Sequence, residues 1–151
     1  MSMAGLLWPL LGVLAGAFVA LQAPINADLA RGLGSTIAAA AISFLSGAVV
    51  LALLTVLFTR AQGASISWRG PEPWLFVVGG CLGAVYVTST ILLIPRLGAA
   101  ALMAFLITGQ LLAGIAIDRF GFLGVAVHEI SIGRIVGACL LILGAVMVRF
   151  L

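Results

Sequence analysis

Residues 36–58 read TIAAAAISFLSGAVVLALLTVLF, an apolar run without one charged side chain. A bilayer core about 30 Å thick takes about 20 such residues in a helix rising about 1.5 Å each, so this run predicts a transmembrane helix. Working outward, four more runs of similar character lie at residues 5–23, 74–94, 97–117 and 130–148. The charges punctuate them. Asp28 and Arg31 follow the first run, Arg60, Arg69 and Glu72 the second, Arg96 the third, and Asp118, Arg119, His128 and Glu129 the fourth. No connection is long enough for a soluble domain. Trp8, Trp68 and Trp74 sit near run ends, where indole rings favour the headgroup region. The apolar stretch at 121–127 is too short to span and is expected at the interface.

The whole composition agrees. Hydrophobic residues make up 64% of the chain and charged residues 7%, whereas soluble domains are about a quarter charged. Mean hydropathy is +1.37. A water-soluble fold lacks the polar side chains here to cover its surface; lipid removes the difficulty. The expectation is an all-α integral membrane protein, a single domain of five transmembrane helices over residues 1–151. The seven basic residues are all arginines, spread between the runs rather than gathered into a nucleic-acid patch. The residues before Leu7 carry no Lys or Arg, and no cleavage site follows, so the first run is read as a retained helix and not a signal peptide.

Small residues recur four apart at Gly12 and Gly16, Gly79 and Gly83, and Gly133 and Gly137, a spacing that lets membrane helices approach closely. Cys81 and Cys139 lie inside apolar runs and are expected as buried free thiols. Neither feature requires chemistry.

Chemistry must come from polar groups at membrane depth, because each is costly unless it meets a partner, a cavity or a substrate. Gln22 and Asn26 are one turn apart at the end of the first run. Pro24 between them lacks an N–H, which frees the carbonyl of Ala20 and suggests a broken helix lining a cavity. The second run offers Ser43, Ser46 and Gly47, the third a stripe of Gly79, Gly83, Tyr86 and Thr90, and the fourth Thr108, Gly109 and Gln110. Gln110 has two readings: a substrate contact, or an interhelical clamp of about 0.6 kcal/mol. For Ser43 and Thr90 a bond to the preceding helical turn competes with a role in binding. The candidate substrate-binding set is Gln22, Asn26, Ser43, Tyr86, Thr90 and Gln110. No ionisable group occupies the middle of a span, and no nucleophile–base pair, metal-ligand cluster or phosphate-binding loop is visible. The sequence calls for no metal, no cofactor and no enzymatic role.

A combined pattern runs through these residues. Gln22, Asn26 and Leu29 are followed by Ser43-Phe44 with Gly47, then Gly79-Gly80 with Gly83 and Tyr86. Pro95 with Leu97-Gly98, Gly109-Gln110, Asp118 with Gly121, and Arg134 with Gly137 and Gly144 complete it. In this the chain resembles the YdcZ-like family of the drug/metabolite transporter superfamily, five-helix half-transporters of bacterial inner membranes. The resemblance implies a small-molecule transporter working by alternating access in a dimer, with a second copy or a homologous half-transporter as partner. It supplies no substrate. The related small multidrug exporters carry a membrane-embedded glutamate in their first helix; only apolar residues stand at that depth here. The competing reading is a non-transporting scaffold or accessory subunit in which the same residues clamp helices.

The arginines bear on orientation. With five spans, Arg60, Arg69, Arg119 and Arg134 fall on the side of the N-terminus and Arg31, Arg96 and Arg149 on the other. Orientation follows the excess of loop arginine, and four against three is almost no excess. Insertion in both orientations, and an antiparallel dual-topology dimer, is the expectation. Reporters fused to the C-terminus are therefore expected on both faces of the membrane, and two arginines added to one side should lock the chain. A single strict orientation of the unmodified chain, with no homologous partner present, contradicts the antiparallel homodimer.

Overall fold

In lipid a backbone amide has no water to bond, so each apolar run must satisfy its N–H and C=O groups along its own helix. The computed structural model describes residues 3–151 and shows that outcome in five long helices: α1 (Met3–Leu33), α2 (Thr36–Gln62), α3 (Leu75–Leu97), α4 (Ala99–Phe120) and α5 (Ile132–Phe150), with a short 3-10 turn at Phe122–Gly124. All five are long and apolar enough to cross a membrane, and no strand occurs among the described residues.

Helix α1 outruns the apolar run that predicts it. Its 31 residues extend about 46 Å at 1.5 Å per residue, more than the hydrocarbon core. Beyond the apolar run, Ala27, Leu29 and Ala30 are good helix formers, and Arg31 Nη2 pairs with Asp28 Oδ1 at 2.8 Å one turn back. The broken helix expected at Pro24 does not form. The helix runs through Pro24, because the ring removes a single hydrogen bond and the flanking turns keep theirs. Helix α3 likewise runs through Pro95, leaving Gly98 as the whole link to α4.

The chain forms two compact units, Met1–Pro95 and Arg96–Leu151. In the first, α1 packs on α2 through a two-residue turn. Gly34, at φ 66°, sends its N–H to the Arg31 carbonyl while the Ser35 N–H reaches that of Ala30. This is a Schellman closure, which favours glycine at its left-handed position. The Ser35 hydroxyl then accepts the Ala38 N–H and caps α2. The buried face of α1 is Ala23, Asn26, Ala27 and Ala30, a stripe at helical spacing; Ala39 and Ala40 answer on α2, and Val87 and Ile91 on α3. Leu29 and Tyr86 pack against the resulting cluster.

In the second unit α4 packs on α5. Ala101 and Leu102 are buried on α4, Ala138 and Ala145 on α5. Alanine thus makes most of the buried apolar set, while the large apolar side chains of α2, from Leu45 to Phe58, stand exposed. Small side chains let helices approach where lipid supplies no hydrophobic drive between them, and the large ones are left for the hydrocarbon.

The glycine pairs do not serve that purpose within the chain. A Cβ at Gly12, Gly16, Gly79 or Gly137 would meet nothing within 4 Å; the close faces are the alanine stripes. Gly83 is the exception between helices, its Cβ position lying 2.9 Å from the Phe44 ring of α2, while that of Gly133 meets only the Ser131 hydroxyl of its own helix cap, at 3.9 Å. Cys81 and Cys139 are free but exposed rather than buried, so their helices turn them outward.

Packing at the alanine stripe sets a test. Ala39 is 0% exposed, and Ala39→Leu should overfill its site at a cost of about 1–3 kcal/mol, seen as a lower melting temperature in detergent. Ala41→Leu, on the exposed side of the same helix, should stay within about 0.5 kcal/mol. Equal stability of the two variants contradicts the stripe.

Candidate functional site

The connection between α4 and α5 builds the most polar feature of the second unit. Helix α4 ends at Gly121, whose φ of 62° and N–H bond to the Ile117 carbonyl close the last turn. A side chain there would be strained and crowded, since a Cβ would lie 2.8 Å from Val127 Cγ2 and 3.3 Å from the Val125 carbonyl. The segment folds back over the end of α4, and the His128 N–H donates to the Asp118 carbonyl at 2.9 Å. Ser131 then caps α5, its hydroxyl accepting the Arg134 N–H. These local closures bring Arg134 Nη1 to 2.9 Å from Asp118 Oδ2, across sixteen residues of sequence.

The two charged side chains are 35% and 32% exposed, Arg134 and Asp118 respectively. They border a groove between α4 and α5 of about 380 Å³, lined by Gln110, Gly114 and Ile115 of α4 and by Gly137 and Ala138 of α5. Small-molecule sites run from about 300 to 1,000 Å³. The groove is mostly apolar, with an amide on its α4 wall and an ion pair further along.

The pair does little for stability. Asp118 occupies the last turn of α4 and Arg134 the first turn of α5, each at the helix end whose partial charge repels it. Such placements cost about 0.3–1 kcal/mol apiece. A partly exposed ion pair gains about 0.2–1 kcal/mol, no more than the two placements together cost. A bolt between two helices would be better built with the charges exchanged.

The candidate residues named from sequence are divided between the two units. Gln110 lines the α4–α5 groove. Gln22, Asn26, Ser43, Tyr86 and Thr90 belong to the first unit. There Thr90 is buried and its hydroxyl donates to the Val87 carbonyl at 2.8 Å, on its own helix. Ser43 is half-buried, and its carbonyl accepts the Ser46 hydroxyl. Tyr86 packs on the alanine cluster. The two amides of α1 differ: Gln22 is exposed, whereas Asn26 is 4% exposed inside the alanine stripe. Its Nδ2 is buried with no hydrogen-bond acceptor, a state that costs about 1–3 kcal/mol. A second, smaller recess of about 130 Å³ lies between the two prolines, Pro24 and Pro95, with Ala27, Arg31 and Ile94. Sequence reasoning left Asp118 as a connector charge and Arg134 as an arginine near the start of the fifth run, without pairing them. The signal for their pairing was opposite charges flanking one short connection that also holds the glycine of a D-x-x-G motif.

Among known proteins, the family described as "Putative inner membrane exporter, YdcZ" matches residues 7–147. The curated relative "Inner membrane protein YdcZ" of Escherichia coli (strain K12) is 36% identical over 75 residues, 50% of this chain and 50% of that protein. The aligned stretch thus spans about half the length of the relative. No solved structure matches. With five membrane-spanning helices and an inner-membrane relative, the chain is a multi-pass inner-membrane protein.

The unmet amide makes a direct prediction. Asn26→Ala fits the stripe and removes a buried donor without an acceptor, so stability in detergent should hold or rise, by up to about 1 kcal/mol. A loss above about 1 kcal/mol, measured by thermal unfolding, means that the amide has a partner in the folded protein.

Proposed function

This chain belongs to the YdcZ family, and we propose on that premise that it carries a small molecule across the inner membrane by alternating access in a dimer. The observation that carries the proposal is the α4–α5 groove, which places Gln110 and the Asp118–Arg134 pair along a cavity of about 380 Å³ inside a helical, lipid-embedded unit. The pair stands where one span ends and the next begins, partly exposed along the groove, and it brings little stability of its own. A solute path explains their presence. A scaffold does not need it.

Two copies are part of the proposal. The large apolar side chains of α2 from Leu45 to Phe58 and the N-terminal half of α1 are exposed on a single chain, leaving surface for a partner helix as well as for lipid. The near-equal arginine count supports an antiparallel pair, related by a two-fold axis in the membrane plane as in inverted-repeat transporters. In such a pair the exposed Gln22 amide of one copy and the groove of the other can share a central path. Amides both donate and accept hydrogen bonds, which suits neutral or zwitterionic solutes. The family's description as an exporter points to transport rather than catalysis.

Proteoliposomes loaded with a small-metabolite extract and analysed for what leaves them test the reading. At least one compound should leave faster than from protein-free liposomes. Gln110→Leu and Gln22→Leu should slow it while dimer stability in detergent holds. Flux at the unmodified rate in both leucine variants contradicts their place on the path, and no efflux of any compound contradicts transport.

A further inference from the structure

The electrostatics of the α4–α5 groove name a substrate class. Asp118 stands at the C-terminal, electronegative end of α4, and Arg134 at the N-terminal, electropositive end of α5. Each end therefore attracts the charge opposite to its helix dipole: a cation beside Asp118, an anion beside Arg134. In this structure the two side chains pair with each other, at 2.9 Å. Both remain about a third exposed, so a solute can reach them.

Resting on the transport reading above, we propose that the groove binds a small zwitterion, with its carboxylate on Arg134 and its ammonium on Asp118. The solute takes the place that each side chain holds for the other. Its carboxylate meets a guanidinium, whose planar fork matches two oxygens, together with the electropositive start of α5. Its ammonium meets a carboxylate together with the electronegative end of α4. Each pole of the ligand is opposite in sign to both the side chain and the helix end it meets, whereas in the resting pair each side chain carries the same sign as its own helix end. A solute with one charge satisfies one pole and leaves the other side chain facing its own helix end unpaired. The remaining wall suits the body of such a molecule: Gln110 offers an amide, and Gly114, Gly137 and Ala138 leave room for a short apolar side chain.

The proposal is distinct from an ion pair that merely bolts α4 to α5, and exchanging the charges separates the two. The double variant Asp118→Arg, Arg134→Asp keeps a pair and places each charge at the helix end that favours it. Its melting temperature in detergent should equal or exceed that of the unmodified protein. Zwitterion flux should nevertheless fall at least about tenfold, the scale of one lost charge-assisted contact. Asp118→Asn and Arg134→Gln should each slow it as well. Flux restored in the exchanged variant, relative to the single ones, overturns the proposal in favour of the bolt.

The probes are radiolabelled leucine, isopentylamine and 4-methylpentanoate in proteoliposomes of the full chain, alongside the metabolite-extract efflux. After subtraction of the flux from protein-free liposomes, leucine should outpace both singly charged analogues by at least about tenfold, and the compounds whose release depends on the protein should be zwitterions. Release of singly charged or neutral compounds alone overturns the substrate class and leaves transport standing. Release of nothing overturns transport, and this assignment with it.

Discussion

A polar group at membrane depth must find its partner inside its own helix or in a neighbour built for it. The backbone takes the first route in all five helices. Side-chain hydroxyls do the same: Thr55 donates to the Leu51 carbonyl, Thr90 to Val87 and Thr108 to Ala104. These groups are spent on their own helices. What remains is short: the amides Gln22, Asn26 and Gln110, and the charges Asp118 and Arg134. Function is read chiefly from that remainder, together with Ser43 and Tyr86.

The same constraint explains how the helices pack. Hydrocarbon gives large apolar side chains no reason to leave the surface, so they stay there, and contact falls to residues small enough to bring backbones together. Ala23, Ala27 and Ala30 facing Ala39 and Ala40 make such a contact, joined by a turn whose glycine and serine close one helix and start the next. Asn26 sits in the middle of that stripe with an unmet donor. A buried polar group of this kind is tolerated when it specifies an arrangement or serves a ligand.

The helices were legible from charge spacing alone, as residues 36–58 illustrate, because a run without charge has one structural outcome in lipid. Their ends were not. Helix α1 continues to Leu33 through Asp28 and Arg31, since an i, i+3 ion pair extends a helix as well as it marks a loop. The packing faces were misread because glycine pairs carry a motif and alanine stripes do not, although Ala23, Ala27 and Ala30 keep helical spacing. At the site, Gln110 stood out as an amide within an apolar run. Asp118 and Arg134 did not, because their meeting depends on the Gly121 cap, the fold-back of residues 125–128 and the Ser131 cap acting together, which no spacing rule expresses.

Water access to the α4–α5 groove tests the central claim most directly. With Cys81 and Cys139 replaced by serine, a single cysteine at Gly114 or at Ala138 should react with a membrane-impermeant maleimide and be shielded by a bound solute. A cysteine at exposed Leu140, on the outward side of α5, should stay unlabelled in the bilayer. Equal inertness at Gly114, Ala138 and Leu140 would contradict a solute path between α4 and α5 and leave the Asp118–Arg134 pair as a structural contact alone.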